Sequence, residues 1–100
     1  MSDQILSLED IVLAVKPLAE KYKIKDVFMF GSYARNEATK DSDLDFLVYG
    51  SEEFKPTHIF SFAEDLRKET QKSVDAYEIR EVNMDSDFYR TIVKEGVHIA

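Results

Sequence analysis

The stretch VFMFGSYARNEATKDSDLDFLV, residues 27–48, joins two apolar runs through a Gly-Ser pair and a polar loop. The first run, residues 25–30, is short, apolar and aromatic, which is the composition of a buried strand. The second, residues 43–49, opens on Asp-Leu-Asp and then turns apolar. Alternation along a strand sends Asp43 and Asp45 to one face and Leu44, Phe46 and Val48 to the other. Two residues of strand span about 6.5 to 7 Å, so both carboxylates sit near one strand end. An uncompensated carboxylate is costly to bury. Either that end is wet and the aspartates serve a turn, or cations gather there.

Gly31 and Ser32 precede the aspartates by ten intervening residues. A glycine after a strand lets backbone approach a phosphate closely, and the turn that follows offers N–H donors. The Ser32 hydroxyl adds a hydrogen bond, and Arg35 presents a planar guanidinium suited to phosphate oxygens. Taken singly these features are ordinary, since Gly-Ser after a strand and Asp-x-Asp before one are most often turn chemistry. Taken together, four fixed positions at about 6% usage each make a chance match in a chain this long a roughly one-in-a-thousand event.

Asp75 enlarges the cluster. It is the lone acidic residue in the apolar part of SVDAYEI, residues 73–79, a third strand pattern. If that strand lies beside the second, Asp75 brings a third carboxylate to the pair. Three like charges in one cleft repel unless they are protonated or bind metal. Oxygen-only ligands favour Mg²⁺ or Mn²⁺, completed by water and substrate phosphates, and two such ions sit about 3.5 to 4 Å apart in two-metal sites. One strand end holding a triphosphate, beside carboxylates holding its metals, suits in-line nucleotidyl transfer.

Outward from this centre the pattern gives a helix, two strands, a helix, a strand and a helix. Ser7 and Asp10 form a capping signal for a helix with apolar residues at Leu8, Ile11, Val12, Val15, Leu18, Ala19 and Tyr22. Pro17 lies inside that stripe and is expected to kink or divide it. Thr57 is the expected cap of a helix over residues 57–68, with Ile59, Phe62, Ala63 and Leu66 on one face. Asp85 is the expected cap of a last helix ending at Glu95, with Phe88, Ile92 and Val93 inward and Gly96 at its stop. Residues 97–99 are too short to assign. This order predicts a small α+β or α/β domain over residues 1–100 with one central sheet.

Composition narrows the function. There is no cysteine, hence no disulfide, thiolate metal site or thiol nucleophile. Twenty acidic residues against 13 basic ones leave a net charge of −7, which argues against long nucleic acid as a ligand. A single nucleotide with its own metal ions stays compatible, as does a basic protein partner. The opening MSDQILSLED is unlike a secretory signal, and the apolar run of residues 11–15 is far too short to span a bilayer. A cytoplasmic protein without a membrane partner is expected. His58 and His98 lack ligand spacing, and the charges of residues 64–69 fit a solvated helix face.

At residues 27–48 the chain resembles the minimal nucleotidyltransferases of the DNA polymerase beta-like superfamily: an apolar strand, Gly-Ser-x-Ala-Arg, then Ser-Asp-x-Asp entering an apolar strand. Val74-Asp75 matches the family's third acidic position, and Asn36 stands where relatives often carry glycine. The resemblance implies an α+β nucleotidyltransferase fold with a mixed central sheet of at least three strands packed by helices. It implies two divalent ions on Asp43 and Asp45, with Asp75 joining one of them and helping to activate the acceptor hydroxyl. Gly31 and Ser32 would hold the β- and γ-phosphates. Stand-alone members of this size resemble antitoxins that transfer AMP from ATP to a tyrosine of a small all-helical HEPN-type ribonuclease toxin. The competing expectation is a non-catalytic module that neutralises its partner by occlusion.

Overall fold

The computed structural model describes residues 4–100. Its elements run α1 (Leu8–Lys21), β1 (Ile24–Phe30), β2 (Leu44–Gly50), α2 (His58–Thr70), β3 (Val74–Glu78), a 3-10 turn (Ile79–Glu81), α3 (Asp87–Glu95) and β4 (Val97–His98). The sheet order is β3-β2-β1-β4, with β2 and β3 parallel and β1 antiparallel to both of its neighbours. A parallel pair needs a crossover, and α2 supplies it between β2 and β3. The α+β class and the mixed sheet expected from the sequence are both present.

The two faces of the sheet are covered unequally. On one, α1 and α2 bury Ile11, Val15, Ile59, Phe62 and Leu66 against Val27, Met29, Leu44, Phe46, Val48 and Val74. This is the main core. On the other, α3 covers a smaller cluster of Phe30, Leu47 and Ile92. Asp45 and Asp75 share that second face with Leu47, two residues along β2 from Asp45. The aspartates therefore lie where α3 leaves the sheet uncovered.

Helix ends explain several departures from expectation. The Ser7–Asp10 capping box forms, with Ser7 Oγ accepting from the Asp10 N–H at 3.0 Å and Asp10 Oδ2 from the Ser7 N–H at 3.1 Å. Pro17 does not divide α1. The hydrogen bond it forfeits would end on the carbonyl of Leu13, and both residues lie on the exposed face of the helix. Thr57 makes no capping hydrogen bond and has helical backbone angles; the turn before α2 is closed instead by the Lys55 N–H donating to His58 Nδ1 at 3.1 Å. Ser86, not Asp85, caps α3, its Oγ accepting from the Tyr89 N–H at 3.1 Å.

Only Ile92 of the three expected inward residues of α3 is buried. Phe88 is 43% and Val93 62% exposed, because a nine-residue helix lying over half a sheet face buries a narrow stripe. Gly96 does end α3, but in extended backbone at φ −63° that runs straight into β4. Beyond β4, the Ile99 N–H donates to the Val27 carbonyl at 2.8 Å and the Val27 N–H to the Ala100 carbonyl at 2.9 Å. Among the described residues no helix is long and apolar enough to cross a membrane.

Candidate active site

The site is built on the ends of β1, β2 and β3. Phe30, the last residue of β1, lies opposite Asp45, and Asp45 lies beside Asp75 in the parallel register. Gly31 follows at φ +81°, a backbone region that glycine enters without penalty. A Cβ at Gly31 would also overlap the Asp45 carboxylate. The positive φ is what calls for glycine here, and any larger residue would also push the Asp45 carboxylate aside. Asn36 closes the following turn at φ 60°, so the residue that stands in place of the family's glycine adopts the left-handed backbone that asparagine tolerates.

Residues 32–36 form the expected turn, with the Arg35 N–H donating to the Gly31 carbonyl at 3.1 Å and the Glu37 N–H to the Ser32 carbonyl at 2.9 Å. As at any helical start, the first N–H groups of this turn, those of Ser32, Tyr33 and Ala34, find no acceptor among the described residues. The Ser32 hydroxyl sits beside them. Such a row of donors at a strand end is a place for an anion.

Asp45 carries the electrostatic tension of the site. It is half-buried and accepts no hydrogen bond from any described residue. Burial, then the nearby charges of Asp75 and Asp43, push its carboxyl up to about 6, against a smaller opposing pull from Arg35. Asp75 is exposed on edge strand β3. Asp43 is exposed one residue before β2, which begins at Leu44 rather than at residue 43. Its loop is pinned from the far side: buried Lys72 donates from Nζ to the Lys40 carbonyl at 2.9 Å, and the Leu44 N–H donates to the Ser73 carbonyl at 2.9 Å.

Among the described residues no three acidic or histidine side chains are drawn together around a single point. The three carboxylates are separate arms on adjoining strand ends. Their chemistry nevertheless suits a hard divalent cation: all donors are oxygen, and the like charges around Asp45 call for a positive counter-charge.

One residue of the candidate site is not legible in the sequence motifs. Glu95, in the last turn of α3, places Oε1 3.1 Å from the Gly31 N–H and 3.1 Å from Arg35 Nη1. The guanidinium is held on its other edge by Glu37, which accepts from Nε at 2.8 Å. A signal existed: a carboxylate in the final turn of a helix opposes the helix dipole, so its position calls for local cations or donors.

Comparison with known proteins bears on the fold and the family. A protein adenylyltransferase, MntA of Thermococcus cleftensis, is 44% identical over 48 residues, covering 44% of this chain and 48% of that protein. The chain spans about a third to a half of the length of the curated relatives it matches. Among solved structures, a chain of a toxin–antitoxin complex with AMP-PNP superposes with a TM-score of 0.74 at 20% identity, over 95% of this chain and 73% of that one. A chain from the complex of tri-AMPylated Shewanella oneidensis HEPN toxin with MNT antitoxin gives a TM-score of 0.71 at 17% identity, over 94% and 72%. At these identities the superpositions speak for the fold. A family model described as polymerase beta, nucleotidyltransferase matches residues 14–100, which contain every strand of the sheet and each predicted site residue, and the chain belongs to that family.

Proposed function

We propose that this chain is a Mg²⁺-dependent nucleotidyltransferase that moves AMP from ATP onto a hydroxyl of a protein partner, and that the partner is a small all-helical HEPN-type toxin which it neutralises. The observation that carries the reading is the half-buried Asp45, without a hydrogen-bond donor, beside Asp75 and above Gly31. A fold needs no such group for stability. The relatives named protein adenylyltransferase, and the toxin–antitoxin complexes that share the fold, support the proposed substrate class and partner.

In this reading Asp43 and Asp45 bind the divalent ions and Asp75 joins one of them. When bound, such ions neutralise the triphosphate and make the acceptor hydroxyl more acidic. The N–H groups after Gly31, the Ser32 hydroxyl and Arg35 hold the β- and γ-phosphates. The acceptor oxygen bonds to the α-phosphorus while the bond from that phosphorus to the β-phosphate oxygen breaks. Pyrophosphate leaves, and Asp75 takes the hydroxyl proton. The net charge of −7 suits a basic ribonuclease as the acceptor protein.

The test is transfer of label from α-labelled ATP with Mg²⁺ to the co-expressed partner. Wild type labels the partner, and Asp43→Ala and Asp45→Ala do not. Absence of label with wild type, or equal label with the variants, overturns the proposal. Neutralisation of the toxin by the aspartate variants at wild-type strength replaces transfer by occlusion.

A further inference from the structure

Arg35 is held in an unusual way for a residue meant to meet a triphosphate. Two carboxylates already occupy it: Glu37 on Nε at 2.8 Å, and Glu95 on Nη1 at 3.1 and 3.4 Å. Nη2, with its two N–H donors, engages no described residue. The same Oε1 of Glu95 also accepts the Gly31 N–H, the first amide of the turn whose next three N–H groups are open. One oxygen thus ties the start of that turn to the guanidinium four residues later. The Glu95 side chain is only 20% exposed, so it holds this place as part of the packed structure.

We propose that Glu95 is a positioning residue for nucleotide binding: it fixes the Gly31 turn and the Arg35 guanidinium together, so that Nη2 and the amides of residues 32–34 present one preformed surface to the phosphates. The inference rests on the reading that this turn receives the triphosphate. It follows from counting donors. An arginine has five N–H groups in a rigid fork, and a clamp on Nε and Nη1 fixes the plane and direction of the remaining nitrogen. A preformed donor set avoids the ordering cost that a free side chain incurs on binding. Glu95 sits 64 residues from Gly31 and 60 from Arg35, so its side chain ties α3 directly to the turn.

The variants Glu95→Ala, Glu95→Asp and Glu95→Gln separate this role from others. Affinity for Mg²⁺–AMP-PNP is read by calorimetric titration, with kcat and KM for ATP beside it and thermal melts to certify folding. Glu95→Ala weakens binding and raises KM about tenfold, with kcat within about twofold. Glu95→Asp retains the charge but loses the reach, and weakens binding comparably. Glu95→Gln keeps an oxygen acceptor at the same reach and recovers most of the loss. If Glu95→Ala does not fold, the Asp and Gln pair decides alone. Unchanged affinity in the Ala or Asp variant overturns the inference, and so does tighter binding, which would make Glu95 a rival of the phosphates. Failure of wild type to bind the nucleotide refutes instead the functional reading beneath it.

Discussion

Two carboxylates on adjoining strands of this sheet are treated in opposite ways. Glu78, at the end of β3, is 5% exposed and fully engaged: it accepts from the Arg80 N–H at 3.0 Å, from Arg80 Nε at 2.8 Å and from the Gly50 N–H at 3.5 Å. Asp45, at the start of β2, is half-buried, engages no donor and faces two further aspartates. The fold compensates the first charge from within the chain. It leaves the second charge to be compensated from outside. A half-buried carboxylate with no donor of its own and like charges beside it is the pattern of a candidate functional site.

The strongest way to break this contrast is catalytic. Asp45→Asn removes the charge with little change of shape and should lower AMP transfer by on the order of a thousandfold or more, measured as label on the partner per folded molecule. The same Asn variant retaining a tenth of the wild-type rate would place Asp45 outside the chemistry.

Next in size is the structural partner of the comparison. Glu78→Ala leaves two backbone donors and the Arg80 guanidinium without their acceptor and should destabilise the fold by about 2 to 3 kcal/mol in urea unfolding. A loss below about 0.5 kcal/mol would show that water replaces the carboxylate freely at that end of the sheet.

Asp45 should behave in the reverse sense. Its carboxyl is raised to about 6, so the native state holds the proton more tightly than the unfolded chain does. The contribution of this group to stability is complete below about pH 4 and is lost as pH rises through about 6. Without metal, Asp45→Asn should therefore be more stable than wild type at pH 7.5 by about 1 to 2 kcal/mol, with the gain vanishing near pH 4. Mg²⁺ with nucleotide should raise the wild-type melting point and leave the Asn variant unmoved. A variant less stable than wild type at pH 7.5 would contradict the assigned strain.

The smallest effect sharpens the point. Asp43→Asn, on an exposed loop residue, should change stability by no more than about 0.5 kcal/mol while still disabling transfer. Burial then separates the stability cost of the site from its chemistry.

Which parts were legible follows from how local each signal is. The apolar runs around Gly31 and Asp45 announce strands because alternation is a two-residue property. The Ser7–Asp10 box announces α1 because a cap spans four residues. Asp75 was placed beside Asp45 by supposing that two strands are neighbours, and the parallel register supports that supposition. Other features were hidden because they depend on tertiary placement. Phe88 and Val93 have helical spacing, but Val93 faces water while Phe88 sets its ring against Phe30 and Tyr77 and stays partly exposed, a difference that only the tertiary packing decides. Thr57 and Asp85 are good cap types, but Thr57 holds the N-cap position without a side-chain bond and Asp85 yields the cap to Ser86 one residue on. Glu95 reads in sequence only as the end of the last helix, and its bond to Gly31 closes across 64 residues of chain.

Strand β1 lies inside the sheet, and its outer neighbour β4 stands about 70 residues later in the chain. Synthesis proceeds from the N-terminus, so β1 waits with one edge unpaired while β2, α2, β3 and α3 emerge. An open edge of apolar strand invites pairing with other chains. The segment that finally covers it also brings Glu95 to Gly31. Nascent chains halted before residue 95 should hold neither the β1–β4 pairing nor the Glu95 contact to Gly31, so the inner strand and the candidate site are completed by the same last segment.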